Sequence, residues 1–378
     1  MLKIFGLSIA TTIAALVAAL LYGGPSALLL CAILGILEVS LSFDNAVVNA
    51  TVLTKLSDYW QRIFLTIGVL IAAFGMRFIL PMAVVWVTSG LNPNEALRLA
   101  LNPPADHAAY FPDGTPSYET YLHNAHPLIA AFGGMFLLTL FLTFILEERE
   151  VTWLSWIERP LGKAGRLDQL AAAIALSTLA AITVTVVPTD HRLTVLIGGV
   201  LGFVSFILVE GLGTVFTEEE EGASIVKLVG KAAFFTFLYL EVLDASFSFD
   251  GVMGAFAITA DPILILLGLG FIGAMFVRSL TVLLVRKGPL AEYIYLDHGA
   301  HWAIGALSII MLVSIGVPVD SMVTGLVGVV LIGAAFLTSV IQKRHEPVEI
   351  DHGGTGPIVV TATENGHLGR TAPVAPRG

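Results

Sequence analysis

The chain has 378 residues, 56% of them hydrophobic and 13% charged, with a mean hydropathy of +0.87 and a formal net charge of −10. A soluble domain is roughly 45–50% apolar and about 25% charged, so an ordinary globular enzyme, a disordered chain and a coiled coil are excluded, and the acidic balance speaks against nucleic acid as a partner. The one cysteine, Cys31, sits inside an apolar run and rules out a disulfide scaffold.

A bilayer core about 30 Å thick takes about 20 apolar residues per helix. On that measure ten spans follow in chain order: 4–21, 27–52, 62–88, 125–146, 168–187, 193–215, 227–258, 262–286, 299–316 and 319–341. The first follows Lys3, so a cleaved signal peptide is a rival reading of residues 1–21, although its apolar run exceeds the roughly 7–15 residues of a signal core. Between spans, residues 90–124 form a loop rich in Pro, Asn and Asp with a short helix expected near Glu95–Leu101. Residues 147–167 form a mixed-charge loop whose Trp153 and Trp156 suit an interfacial helix. The Glu218–Glu221 run reads as a solvated loop, and residues 343–378 as a disordered tail with little to bury.

Loop charges orient these spans. One side receives fifteen Lys and Arg residues, the other only Arg98 and Arg192, and Arg77 and Arg278 remain inside spans. The positive-inside rule then puts both termini in the cytoplasm of a multi-pass inner (plasma) membrane protein.

The two halves of the chain resemble each other. Glu38-Val-Ser40-Leu-Ser42-Phe43-Asp44 recurs as Asp244-Ala-Ser246-Phe-Ser248-Phe249-Asp250. Downstream, each half has an arginine in its next span, Arg77 and Arg278. Each then opens a further span with His-x-x-His, His123 to His126 and His298 to His301. The motif span is second in each half, an offset of five spans, and an odd offset inverts the second copy. The expected fold is therefore all-α, a polytopic membrane bundle of about ten transmembrane helices built as a 5+5 inverted-topology repeat over residues 1–188 and 189–342.

Glu38, Asp44, Glu241, Asp244 and Asp250 all fall within apolar spans. An ionised acid at the bilayer centre costs at least about 2.5–3.5 kcal/mol, so each needs a cation, a proton or an arginine. Structural ion pairs with Arg77 and Arg278 are one reading. Five acids against two arginines leave a surplus that favours a cation or proton site. At about 100° per residue, Glu38, Ser42 and Asn45 share a helix face, as do Glu241, Asp244, Ser248 and Gly251. Asp44 and Asp250 fall about 120° from Glu38 and Asp244 on that count. Either the helices break near Ser40–Ser42 and Ser246–Ser248, or the acids serve neighbouring faces of one cavity. Such oxygens suit Mg²⁺, Ca²⁺ or Mn²⁺, and nitrogen from His126 or His301 would tilt the choice to Mn²⁺. No constellation of nucleophile and base, phosphate loop or dinucleotide fingerprint is present, so no enzyme and no prosthetic group is expected.

At these residues the chain resembles the TerC family of integral membrane proteins, within the wider LysE-like transporter group. Glu38-x-x-Leu41-x-x-Asp44-Asn45 matches that family's E-x-x-L-x-x-D-N pattern. Glu241-x-x-Asp244-x-x-Phe247-x-x-Asp250, followed by Ala257-Ile258-Thr259 and Asp261-Pro262, resembles its other signature. The second copy departs at Gly251, where the family usually has serine, and at Met253, often proline. The likeness covers about residues 27–316, and implies export of Mn²⁺ or a related divalent cation with the motif acids as functional residues. The leading expectation is a transporter exchanging the cation for protons. Asp44 and Asp250 would be the central ligands, Glu38 and Asp244 ligands or proton carriers with Glu241 a further ligand, Ser42, Asn45 and Ser248 would add neutral oxygens, and Arg77 and Arg278 would compensate charge. The alternatives are an exporter of organic cations or amino acids, and a non-transporting membrane scaffold. The partners are the lipid bilayer, divalent cations and protons, with homo-oligomerisation left open.

Overall fold

The structure is a computed structural model. It describes the chain apart from Met1, Ser42, 105–107, Asp168, 219–226, Ala257, Ala260, 288–292, Asp320, 346–347, 351–357 and 361–378. Also outside the description are the side chains of 2–3, 40–41, 43–44, 80, 84, 88, 212–218, 249–250, 253–254, 256, 286–287, 321–322, 325, 344–345, 348–350 and 358–360. The Glu218–Glu221 run therefore lies outside the described side chains.

Helix α1 runs Leu2–Leu41 with a kink at Gly23 and Gly24. Gly24 takes φ 72° and ψ −159°, a conformation open to glycine and closed to other residues, and Pro25 disfavours helical backbone just before it. The first two sequence spans are thus the arms of one bent element. Helix is assigned on both sides of Ser42, with α2 at Phe43–Leu53. The next span begins as α3 (Asp58–Ile63), passes through π-helical turns at Phe64–Gly68 and Ile71–Ile79, and ends as α4 (Leu80–Ser89). The short loop helix expected near Glu95–Leu101 is α5 (Pro93–Leu101), started by the Asn92 side chain accepting from the Glu95 N–H.

The chain continues with α6 (Tyr118–Leu146), α7 (Ser155–Ala164), α8 (Leu170–Thr185), α9 (Arg192–Glu218) and α10 (Gly230–Phe256). Helix α11 (Pro262–Ile265) is capped by Asp261, whose carboxylate accepts from the N–H groups of Ile263 and Leu264, and leads through a π-helical stretch, Leu266–Gly273, into α12 (Ala274–Lys287). Helices α13 (Leu296–Ser314) and α14 (Ser321–His345) complete the bundle. The tail, read from sequence as disordered, contains β1 (Val348–Ile350) paired antiparallel with β2 (Ile358–Val360) among its described residues.

Seven helices among the described residues are long and apolar enough to cross a membrane. The ten-span reading counts more because the kink divides α1, α8 has only 16 residues, and α10 carries Glu241, Asp244 and Asp250. Leu21, Val87 and Leu193 are 82%, 72% and 70% exposed, the outward apolar surface a lipid-facing bundle requires. Inside, α6 packs on α9 and α13, and the second arm of α1 packs on the stretch Leu266–Gly273. There Gly35 lies against Ile272 and Gly268 against Leu34, so small residues bring the helices close. The two π-helical stretches Ile71–Ile79 and Leu266–Gly273 pack on each other, with Phe74 and Phe271 edge to face at 5.1 Å. Widened turns of this kind concentrate at functional sites.

Candidate functional site

The two acid-bearing segments meet inside the bundle. Asn45 donates from Nδ2 to Asp244 Oδ1 at 2.5 Å, and Glu38 Oε2 lies 2.8 Å from where a Cβ on Gly251 would stand. Residue numbers rise along one segment as they fall along the other, so the segments run antiparallel. Gly273 also abuts the Glu38 side chain, which leaves no room for a larger residue there. Within α10 the expected shared face holds: Ser248 Oγ lies 3.5 Å from Asp244 Oδ2, and Gly251 follows on the side that meets Glu38. Helix α10 runs unbroken through Ser246–Ser248, so the sequence expectation of a break there is corrected; the matching place in the first copy, Ser42, lies outside the described residues.

Arg77 stands against one acid in particular. Its Nη2 donates to Glu38 in a fully buried ion pair, and its Nη1 donates to the carbonyl of Ala72 at 2.8 Å. That carbonyl belongs to a π-helical stretch, where the widened turn leaves backbone oxygens for side chains to reach. Arg278 behaves differently: its Nε donates to the carbonyl of Leu65 at 2.7 Å, across from α12 to the π-helical turn Phe64–Gly68.

Beside this pair lies a cavity of about 20 Å³ lined by Asn49, Gly68, Arg77, Glu241, Asp244 and Arg278 among others. Room for one water molecule begins at roughly 10–15 Å³, so the space suits a single water-sized occupant. Both carboxylate oxygens of Glu241 and Oδ1 of Asn49 are buried there without a hydrogen-bond donor. Three orphaned acceptors at one cavity are costly unless a cation or a proton supplies the missing partner. Three acids, Glu38, Asp244 and Glu241, face two guanidinium groups, so the group carries net negative charge when fully ionised. Asn49 was absent from the sequence candidates. The signal was its place one turn beyond Asn45, about 40° around the same helix face.

Asp44, Asp250 and Ser42 lie outside the described side chains, and among the described residues no three His, Cys, Asp or Glu side chains gather as a metal cage. The structure does not bring the histidines to the acids. His301 stacks on Phe144, ring centroids 3.6 Å apart, and its Nδ1 meets the carbonyl of Asp297 at 2.8 Å. His126 lies two turns N-terminal of Gly133, the α6 residue that touches Ser246. Among the described residues neither histidine hydrogen-bonds or pairs with Glu38, Glu241 or Asp244. Sequence reading also missed Glu158, a buried carboxylate on α7 that accepts from Trp302 Nε1 at 2.9 Å and the Trp153 N–H at 2.9 Å.

No curated protein matches the chain, and no solved structure does. Residues 43–346, which include the Asn45–Asp244 contact, Arg77, the cavity and both π-helical regions, match the model of one family. The chain belongs to that family, described as Protein of unknown function (DUF475).

Proposed function

We propose that this protein is a membrane transporter that moves Mn²⁺ or a related divalent cation out of the cytoplasm in exchange for protons. The observation that carries the reading is the trio of orphaned acceptors, two from Glu241 and one from Asn49, beside Asp244 at the antiparallel crossing of the motif segments. Carboxylate and amide oxygens are hard ligands, suited to Mn²⁺, Mg²⁺ or Ca²⁺. A cavity of about 20 Å³ suits a dehydrated ion and is too small for an organic solute. The resemblance of both motif copies to the TerC family favours the same substrate class.

In this scheme the ten-span bundle is a 5+5 inverted repeat with both termini cytoplasmic, and the site lies at the repeat interface. Asp244 and Glu241 bind the cation with Asn49, while Asn45 orients Asp244 by its hydrogen bond. Asp44 and Asp250, at equivalent places in the two motif copies, add two further acids to the motif segments. Arg77 pairs with Glu38 and holds it in place, which leaves the acids facing the cavity to exchange the ion. When the ion leaves, protons take its place on those acids, because uncompensated carboxylates in a low-dielectric interior are costly. Rocking of one half against the other alternates access.

Purified protein in proteoliposomes tests this directly. Wild type should drive Mn²⁺ flux with counter-movement of protons, and Glu241→Gln and Asp244→Asn should abolish it. Flux unchanged in both variants would overturn the reading.

A further inference from the structure

A second cavity lies away from the motif crossing. It measures about 200 Å³ and lies where the 147–167 segment folds against the ends of α6 and α13. Its walls include Glu147, Glu148, Arg149, Glu158, Arg159, Lys163 and the buried His298. This is the second His-x-x-His motif of the sequence, which the transport scheme leaves unused.

Every carboxylate of this cavity already has a partner. Glu147 pairs with Arg149 and Glu148 with Arg166 at 3.0 Å. Glu158 receives Trp302 Nε1 and the N–H groups of Trp153 and Leu154, and lies 3.0 Å from His298 Nδ1. Two of the cations are not so matched. Arg159 and Lys163, one turn apart on α7, carry no hydrogen bond or ion pair among the described residues. Arg149 is held at the wall by Phe144, its guanidinium 4.0 Å above a ring that stacks on His301. The unspent charge of the cavity is therefore positive, with the Thr152 side chain also at the wall.

We propose that this cavity is a binding site for a phosphate group, with Arg159 and Lys163 as its free cations and Arg149, paired with Glu147, at the wall beside them. Arginine and lysine beside a hydroxyl are the donors a phosphate oxygen takes up. The phosphate can arrive on an anionic lipid or on a soluble ester. The setting favours the lipid: Trp156 on the same helix is 78% exposed, as befits an interfacial helix, and Trp153 Nε1 reaches Thr338 on α14 at 2.9 Å. Basic pockets of this kind beside membrane helices take lipid headgroups. The inference stands independently of the transport reading.

The test uses the full chain in nanodiscs. Native mass spectrometry measures phosphatidylglycerol retained from mixed phosphatidylglycerol and phosphatidylcholine discs, and tryptophan fluorescence follows glycerol 3-phosphate added to pure phosphatidylcholine discs. Arg159→Gln with Lys163→Gln, both exposed and checked for an unchanged melting point, should weaken retention by at least about tenfold. The charge-matched Lys55→Gln, Arg62→Gln variant should retain lipid as wild type does. Binding of glycerol 3-phosphate with the same variant sensitivity, and no lipid enrichment, would keep the phosphate site and make its source soluble. Equal retention in wild type and the Arg159/Lys163 variant, an equal loss in the control variant, or no binding of either probe would overturn the proposal.

Discussion

Asn45 and Asp244, 199 residues apart in sequence, share a buried hydrogen bond that ties the first motif segment to the second. Through it the amide supplies a donor to a carboxylate that would otherwise rely on Arg77 and Ser248. The same crossing sets Glu38 against Gly251, so the two contacts together fix the register and the antiparallel sense of the segments.

Replacing Asn45 by Leu removes that donor while keeping bulk. A buried acceptor left unsatisfied costs about 1–3 kcal/mol. The expected outcome is a lower thermal midpoint in detergent together with reduced Mn²⁺ flux. A midpoint equal to wild type would show that Asp244 does not depend on Asn45.

Arg77→Leu strands Glu38 in the interior. Breaking a buried pair by removing one partner costs about 3–5 kcal/mol, whereas replacing both with apolar residues is often neutral. Arg77→Leu should therefore be markedly less stable than the Arg77→Leu, Glu38→Leu double variant by chemical or thermal unfolding. If the double variant is no more stable than the single one, the ion pair is not what Arg77 provides.

Glycines at the site act through space. A Cβ on Gly68 would stand 2.6 Å from Glu241 Oε1, the end of a flexible side chain, so Gly68→Ala should displace Glu241 and cut flux with little loss of stability. A Cβ on Gly273 would instead collide with the stem of Glu38, and overpacking of that kind costs about 1–3 kcal/mol. Gly333 on α14 meets nothing within 4 Å, so Gly333→Ala should stabilise by about 0.5–1 kcal/mol through helix propensity alone. Equal effects at all three positions in unfolding measurements would defeat the argument from space.

Asp44 and Asp250 occupy equivalent places in the two motif copies. The Asp44→Asn, Asp250→Asn double variant keeps size and hydrogen bonding but removes two charges. Mn²⁺ uptake into everted vesicles should be lost in it. Persistence of uptake at the wild-type rate would take these acids out of the mechanism.

Composition and hydropathy by themselves determined the class of this protein, because an apolar run long enough to span lipid is a local property of the chain. Landmark order likewise exposed the doubled motif with Glu38, Asn45, Asp244 and the two arginines, since acids and arginines in apolar runs are conspicuous. Partnership was a different matter. Arg77 and Arg278 look equivalent in sequence, yet one holds Glu38 and the other reaches the carbonyl of Leu65. His301 shared a motif with the candidate ligands but stacks on Phe144, and Glu158 looked like one charge of a polar loop but lies buried beneath Trp302. These outcomes depend on contacts between residues 39 to 213 positions apart, and helical periodicity reports only which face a residue shares with its near neighbours. Which face meets which partner was decided by the packing of α1, α10 and the π-helical stretches, where a few glycines determine how close the backbones come.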